Sequence, residues 1–154
     1  MSRRPRTRPA ALLVFGGAVA GCLVLAGLAV AGLKTPRVSV IVQATSAQLV
    51  KGSKQKQLQV TAQLDSSFAR CERQRSVVLY RAGPNGGLVG SPIGKGTSQG
   101  GGSKGRVTIT GTSPTKIKPT DQFLAIAAQR KVKIKGKAYV CKRGVSSAFS
   151  ANSV

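Results

Sequence analysis

Between Arg130 and Arg143 the chain reads RKVKIKGKAYVCKR, seven basic residues in fourteen positions with no acid among them. The chemistry of such a run is electrostatic: ammonium and guanidinium groups attract phosphates, sulfates and carboxylates without making or breaking a bond. In Lys131-Val132-Lys133-Ile134-Lys135-Gly136-Lys137 the charges fall on every second residue. An extended backbone then directs all four lysines to one side and Val132 and Ile134 to the other. The plain alternative is a solvated edge strand whose lysines discourage aggregation between sheets. Lys142 and Arg143 prolong the run past Cys141, and a second basic cluster, Arg70, Arg73 and Arg75, surrounds Cys71.

The rest of the inventory removes other chemistry. There is no His or Trp, the only acids are Asp65, Glu72 and Asp121, and cysteines number three. Common acid/base pairs and transition-metal clusters cannot be assembled from that set, so a non-enzymatic protein without metal or cofactor is expected. The glycine cluster from Gly96 to Gly105 is followed by neither a helix nor a Gly-Lys-Ser/Thr signature, which argues against a phosphate-cradling loop and for a flexible one.

The charge excess is general. Lysine and arginine total 25 against three acids in 154 residues, a net +22. Setting aside Arg3, Arg4, Arg6 and Arg8 leaves 21 cations against the same three acids, a net +18. Charge on that scale repels itself unless an anionic partner or counter-ions screen it.

Three segments precede the domain that must position these residues: a basic tail, 1–9; an apolar run, 10–33; and a stalk with a first strand, 34–54. Ala10 to Leu33 holds 24 residues without a charge, and as a helix it would reach about 36 Å, enough to cross a hydrocarbon core of about 30 Å. The arginines before it outnumber Lys34 and Arg37 after it, which orients the remainder outside the cytoplasm. An uncleaved, single-pass signal anchor is the first reading, because the run exceeds a signal-peptide core. Cleavage after Ala29-Val30-Ala31 would instead release the protein, and Val19-Ala20-Gly21-Cys22 resembles a lipobox that would place a lipid on Cys22. Gly17 and Gly21 form a small-xxx-small spacing that suits helix pairing, but such spacings arise by chance in a segment this rich in Gly and Ala, and an ordinary lipid-facing helix is the preferred reading.

From Arg37 onward short stretches rich in Val, Ile, Thr and Ser alternate with clusters of Gly, Pro, Ser and Asn, the texture of an all-β sandwich or barrel. Strands are expected at 38–42, 57–64, 76–81, 88–93, 106–110, 122–128 and 144–149. The run 57–64 alternates strictly, as a strand with one buried face does, and 122–128 is apolar at nearly every position, as a strand buried on both faces is. Ala82-Gly83-Pro84-Asn85-Gly86-Gly87 supplies hairpin-turn chemistry, and Pro92 suits an edge or bulge. About seven strands in this length match an Ig-like sandwich occupying 55–154. Its four Phe and two Tyr promise a thin core. Cys71 and Cys141, an even pair in an exported domain, are read as the disulfide that reinforces it, since a metal or redox site needs more ligands or a Cys-x-x-Cys pair.

Cys71, Arg75, Val77, Leu79 and Tyr80, then Val89-Gly90-Ser91, Gly105, Val107, Phe123, Ala125, Cys141 and Val145-Ser146-Ser147, together resemble small secreted bacterial Ig-like or prealbumin-like (carboxypeptidase-regulatory-like) β-sandwich domains. The resemblance covers roughly 55–150 and rests on structural motifs. It implies non-catalytic surface modules, adhesins or spacers, with two cysteines bridging strand-adjacent loops and no catalytic positions to carry over. This chain differs in carrying one such domain and in its basicity.

A bridge from Cys71 to Cys141 would set Arg70, Arg73 and Arg75 beside Lys142 and Arg143, since bridged Cα atoms lie about 5 to 6 Å apart. The expectation is a surface protein whose basic face, including Lys131, Lys133, Lys135 and Lys137, binds envelope polymers or anionic lipid head groups, with non-specific nucleic-acid binding as a further possibility. The alternative is an adhesion or spacer module that contacts a protein partner.

Overall fold

The computed structural model describes residues 34–100 and 105–151. The tail 1–9 and the apolar run 10–33, with its cleavage and lipidation alternatives, lie outside the described residues. Among the described residues no helix is long and apolar enough to cross a membrane. The elements in chain order are β1 (Arg37–Val38), β2 (Val40–Leu49), β3 (Gln57–Ser66), α1 (Ala69–Glu72), β4 (Ser76–Ala82), β5 (Leu88–Thr97), β6 (Arg106–Thr112), β7 (Gln122–Ala127), β8 (Arg130–Ile134), β9 (Lys137–Cys141), β10 (Gly144–Val145) and β11 (Phe149–Ser150).

Alternation decides how β3 and β6 lie. Leu58, Val60, Ala62 and Leu64 point inward from β3, and Val107 and Ile109 do so from β6, while the residues between them face outward or remain partly covered. In β2 the inward set changes phase, from Val40, Val42 and Ala44 to Ala47 and Leu49, because the register with β3 shifts between Ala44 and Ser46. Such a bulge inserts one residue and restores the apolar side chains to the core face. These strands form one antiparallel sheet in the order β2-β3-β6, and a second sheet runs β10-β7-β4-β5 with β11 also paired to β7. Val77, Leu79, Phe123, Ala125 and Ala127 of the second sheet join the first sheet's apolar face in a shared core, giving an all-strand, sandwich-like fold.

Glycine closes one margin of the sandwich. A Cβ at Gly94 of β5 would stand 2.8 Å from Gly111 Cα, and one at Gly96 would stand 2.8 Å from Val107 Cγ2. Absence of side chains therefore lets β5 lie directly on β6. The expected flexible stretch is correspondingly shorter, since Gly96 and Thr97 end β5 and Ser98 is buried at 1% exposure. Gly101 to Lys104 lie outside the described residues.

The seven expected strand positions all carry strand, with three departures. The first, 38–42, divides at Ser39 into the end of β1 and the start of β2, which belong to different sheets. The last one divides into β10 and β11, because Ser146 between them turns inward: its Oγ accepts a hydrogen bond from Ala125 N at 3.0 Å and its own N–H donates to Ala125 O at 2.9 Å. The stretch expected as a stalk is built into the domain, with Arg37 and Val38 paired parallel to Val140 and Cys141, and β2 paired to β3 along its length.

Beside the two main sheets stands a small third one, β1-β9-β8. Cys141 of β9 is bridged to Cys71 of α1, with Cα atoms 5.5 Å apart and both residues at 0% exposure. Lys34–Val154 form a compact unit whose core and cross-link lie wholly inside it, so residues 34–154 are a self-contained folding unit. A bridge across 70 residues restricts the unfolded chain by about 4 kcal/mol. That is a large share of the roughly 5–15 kcal/mol that holds a typical domain. Urea denaturation of residues 34–154 should show a loss of about that size for the C71A/C141A double variant; a loss below about 1 kcal/mol would contradict this role.

Candidate functional site

The basic run from Arg130 to Arg143 does not form the single lysine ladder that its alternation implies. It folds back on itself as the β8–β9 hairpin, with Ile134 opposite Lys137 and only Lys135-Gly136 between them. Both turn residues have positive φ, +47° at Lys135 and +79° at Gly136, as a two-residue hairpin with the twist of its strands requires. Residues directly opposite in an antiparallel pair share a face. Lys137 therefore lies on the side of Ile134, Val132 and Tyr139, away from Lys131 and Lys133, and Lys135 sits in the turn.

The inner face of this small sheet is fixed by the core. Val38 and Cys141 are buried, Val132 packs against the core, and Tyr139 meets Phe68 with ring centroids 5.1 Å apart. The outer face follows by alternation: Lys131 and Lys133 on β8, Ala138 and Val140 on β9, and Arg37 on β1, with Val140 paired to both Lys131 and Arg37. Lys142 continues the outward series from Val140, its N–H donating to Val38 O at 2.8 Å. The result is a short apolar floor of Ala138 and Val140 bordered by cations.

Two open clefts flank β8 and share Lys131. One, of about 490 Å³, is lined by Arg70, Arg73, Gln74, Gly100, Arg130, Lys131, Val132 and Lys133. The other, of about 1160 Å³, is lined by Lys34, Thr35, Pro36, Arg37, Gln129, Lys131, Val140, Lys142 and Arg143. Nine cationic side chains thus line the pair, with no carboxylate among them. Two of the three acids have partners of their own: Glu72 is buried and accepts a hydrogen bond from Ser66 N at 3.0 Å, and Asp121 pairs with Arg81 at 3.1 Å. Asp65 lines an adjoining groove with Pro36, Arg37, Phe68 and Tyr139.

Arginines join α1 to β8 across the smaller cleft. Arg70 Nη1 donates to Lys133 O at 2.5 Å, and Arg130 Nη1 donates to Arg73 O at 3.1 Å and Gln74 O at 2.7 Å. A guanidinium carries five N–H donors, so these bonds orient both side chains and leave donors for an anion.

Arg75 has a different position from the rest of its cluster. Expected on the anion-binding face, it is 1% exposed and lies inside. Its Nη1 donates to Cys71 O at 3.0 Å, and its Nη2 donates to Lys142 O at 2.9 Å and to Ala128 O. Those carbonyls belong to the three segments that carry Arg70 and Arg73, Arg130 and Lys131, and Lys142 and Arg143. Ser98 completes the support: its Oγ accepts from Arg75 N at 2.8 Å and donates to Glu72 O. Nε of Arg75 has no hydrogen-bond partner. Burial, and after it the nearby Arg130 charge, lower the pKa of Arg75, yet an arginine remains protonated in proteins. Its charge therefore adds to the positive field of the clefts.

Of the residues expected at the site, Arg70, Arg73, Lys131, Lys133, Lys142 and Arg143 line the clefts, whereas Lys135, Lys137 and Arg75 do not. Lys34, Arg37 and Arg130 line them in addition. Lys34 and Arg37 read in the sequence as charges flanking an apolar run, and nothing local signals that β1 pairs with a strand about a hundred residues later.

The chain matches no protein-family model, and no curated protein is significantly similar to it.

Replacing Arg75 with Met leaves carbonyls of three segments without their donor, and each such loss inside a protein amounts to about 1–3 kcal/mol. R75M should lower the unfolding free energy by about 3 kcal/mol or more, and R75K, whose single ammonium cannot span three carbonyls, by an intermediate amount. Denaturant titration checks both; an unchanged midpoint in R75M would refute the strap.

Proposed function

We infer that this chain is a non-enzymatic surface module of the bacterial cell envelope, a disulfide-bonded sandwich of Ig-like or prealbumin-like type, held at the membrane by residues 10–33 with its domain outside. Its cationic clefts bind envelope polyanions. One observation carries the reading: nine cations line the two clefts around β8, and no acid lines either cleft. Clefts of one sign focus the field and raise the local concentration of counter-charged ligand. The disulfide, the apolar run and the shortage of acid/base groups all fit such a role.

A second reading, a module that contacts a protein partner, is favoured by Leu88 and Val89 at the start of β5, exposed at 47% and 52%. Binding of a polyanion through ion pairs releases counter-ions, so affinity falls steeply with salt. If about six cations engage a flexible polyanion, affinity for residues 34–154 should fall roughly 300-fold over a fourfold rise in salt. Isothermal titration across a salt series measures it. Absent or salt-independent binding at low ionic strength would overturn the polyanion reading in favour of the protein-partner one.

A further inference from the structure

We propose that the ligand of these clefts is a phosphodiester polymer with a short, base-free repeat, an inference that rests on the polyanion reading above and narrows it. Three features of the outer face of β1-β9-β8 point to that class.

The first is spacing. Lys131 and Lys133 occupy the same face of β8, about 6.8 Å apart along the strand. An extended polymer backbone advances about 3.4 Å per three bonds, as a polypeptide does. Six backbone bonds between phosphodiesters, as in a glycerol phosphate chain, therefore give a charge every ~6.8 Å, in step with the two lysines. A glycan with one carboxylate per disaccharide places its charges farther apart.

The second is the floor. Ala138 and Val140 lie between the charged borders and are small enough to leave room for a chain across the sheet. Arg37 stands in the same row as Lys131, one strand beyond Val140, about 9.6 Å away. Cations on both sides of the floor thus accompany a linear ligand, and Lys131, shared by both clefts, lets one chain run from the larger into the smaller. There the arginines present planar forks suited to pairs of phosphate oxygens.

The third is what the clefts do not offer. No aromatic side chain lines either one, and Phe68 and Tyr139 pack on each other at the inner face. Single-stranded nucleic acids gain much of their binding from bases stacked on aromatic rings. A nucleic acid would gain no such contact here, while a polyol phosphate needs none.

The test compares three polymers with equal numbers of charges, a glycerol phosphate chain, a hyaluronan fragment and a single-stranded oligonucleotide, for binding to residues 34–154 at low salt. The glycerol phosphate chain should bind at least about tenfold more tightly than either, the difference one charged hydrogen bond makes. The K131Q/K133Q variant should lose that preference, and K51Q/K54Q, altered in the β2–β3 connection away from both clefts, should keep it. Equal affinity for all three overturns the phosphodiester proposal and leaves the polyanion reading standing, as does preference for the oligonucleotide or for hyaluronan. Binding to none of them removes both.

Discussion

A buried positive charge with only backbone carbonyls for side-chain partners organises the part of this molecule that carries the cationic clefts. Arg75 holds Cys71, Ala128 and Lys142 through one guanidinium, and the disulfide joins two of the same segments covalently. Neither device would suffice alone. The bridge sets two points of the chain side by side, but it does not orient the turns that leave them. The guanidinium, planar and rigid, specifies three directions at once. Removing a charge from water is costly, and the carbonyls offset part of that cost.

The two main sheets serve as the scaffold. Their core is built largely from medium-sized aliphatic side chains, Leu58, Val60, Leu64, Val77, Leu79, Val107 and Ile109, with Phe123 the largest aromatic contributor. A core so modest needs reinforcement, and the cross-link supplies it where the small sheet joins the sandwich. The same junction therefore stabilises the fold and displays the charge. Two of the three acids have partners of their own: Asp121 pairs with Arg81, and Glu72, the last residue of α1, accepts from Ser66 N at the end of β3.

Much of the scaffold could be read from the sequence, because its signals are local. The strict alternation of 57–64 and 106–110 becomes β3 and β6, and the continuous apolar run at 122–128 becomes β7, buried on both faces. The pairing of Cys71 with Cys141 is legible as an even pair in a domain expected to be exported. The site was less legible. Alternating lysines look the same whether the strand continues or turns, and Lys135-Gly136 is not one of the strong hairpin pairs, so alternation hides the reversal and puts Lys137 on the face of Lys131 and Lys133, opposite to where the hairpin sets it. Arg75 differs from Arg73 only in where the chain places it, inside rather than outside. Arg37 and Lys34 join the clefts through the β1–β9 pairing, a non-local contact that no periodicity encodes. The membrane expectation for residues 10–33 lies outside the described residues and stands on their length and composition.

The central claim is that anion binding is localised, although cations are spread over the whole domain. Backbone amide chemical shifts of residues 34–154, followed by NMR during titration with a glycerol phosphate polymer at low salt, test it directly. The account predicts shifts concentrated at Lys34–Val38, Arg70–Gln74 and Arg130–Arg143, with little change around Lys51–Lys56, Lys95 or Lys116–Lys118. Comparable shifts at every lysine and arginine segment would contradict it, and would mark the charge as a diffuse property of the surface.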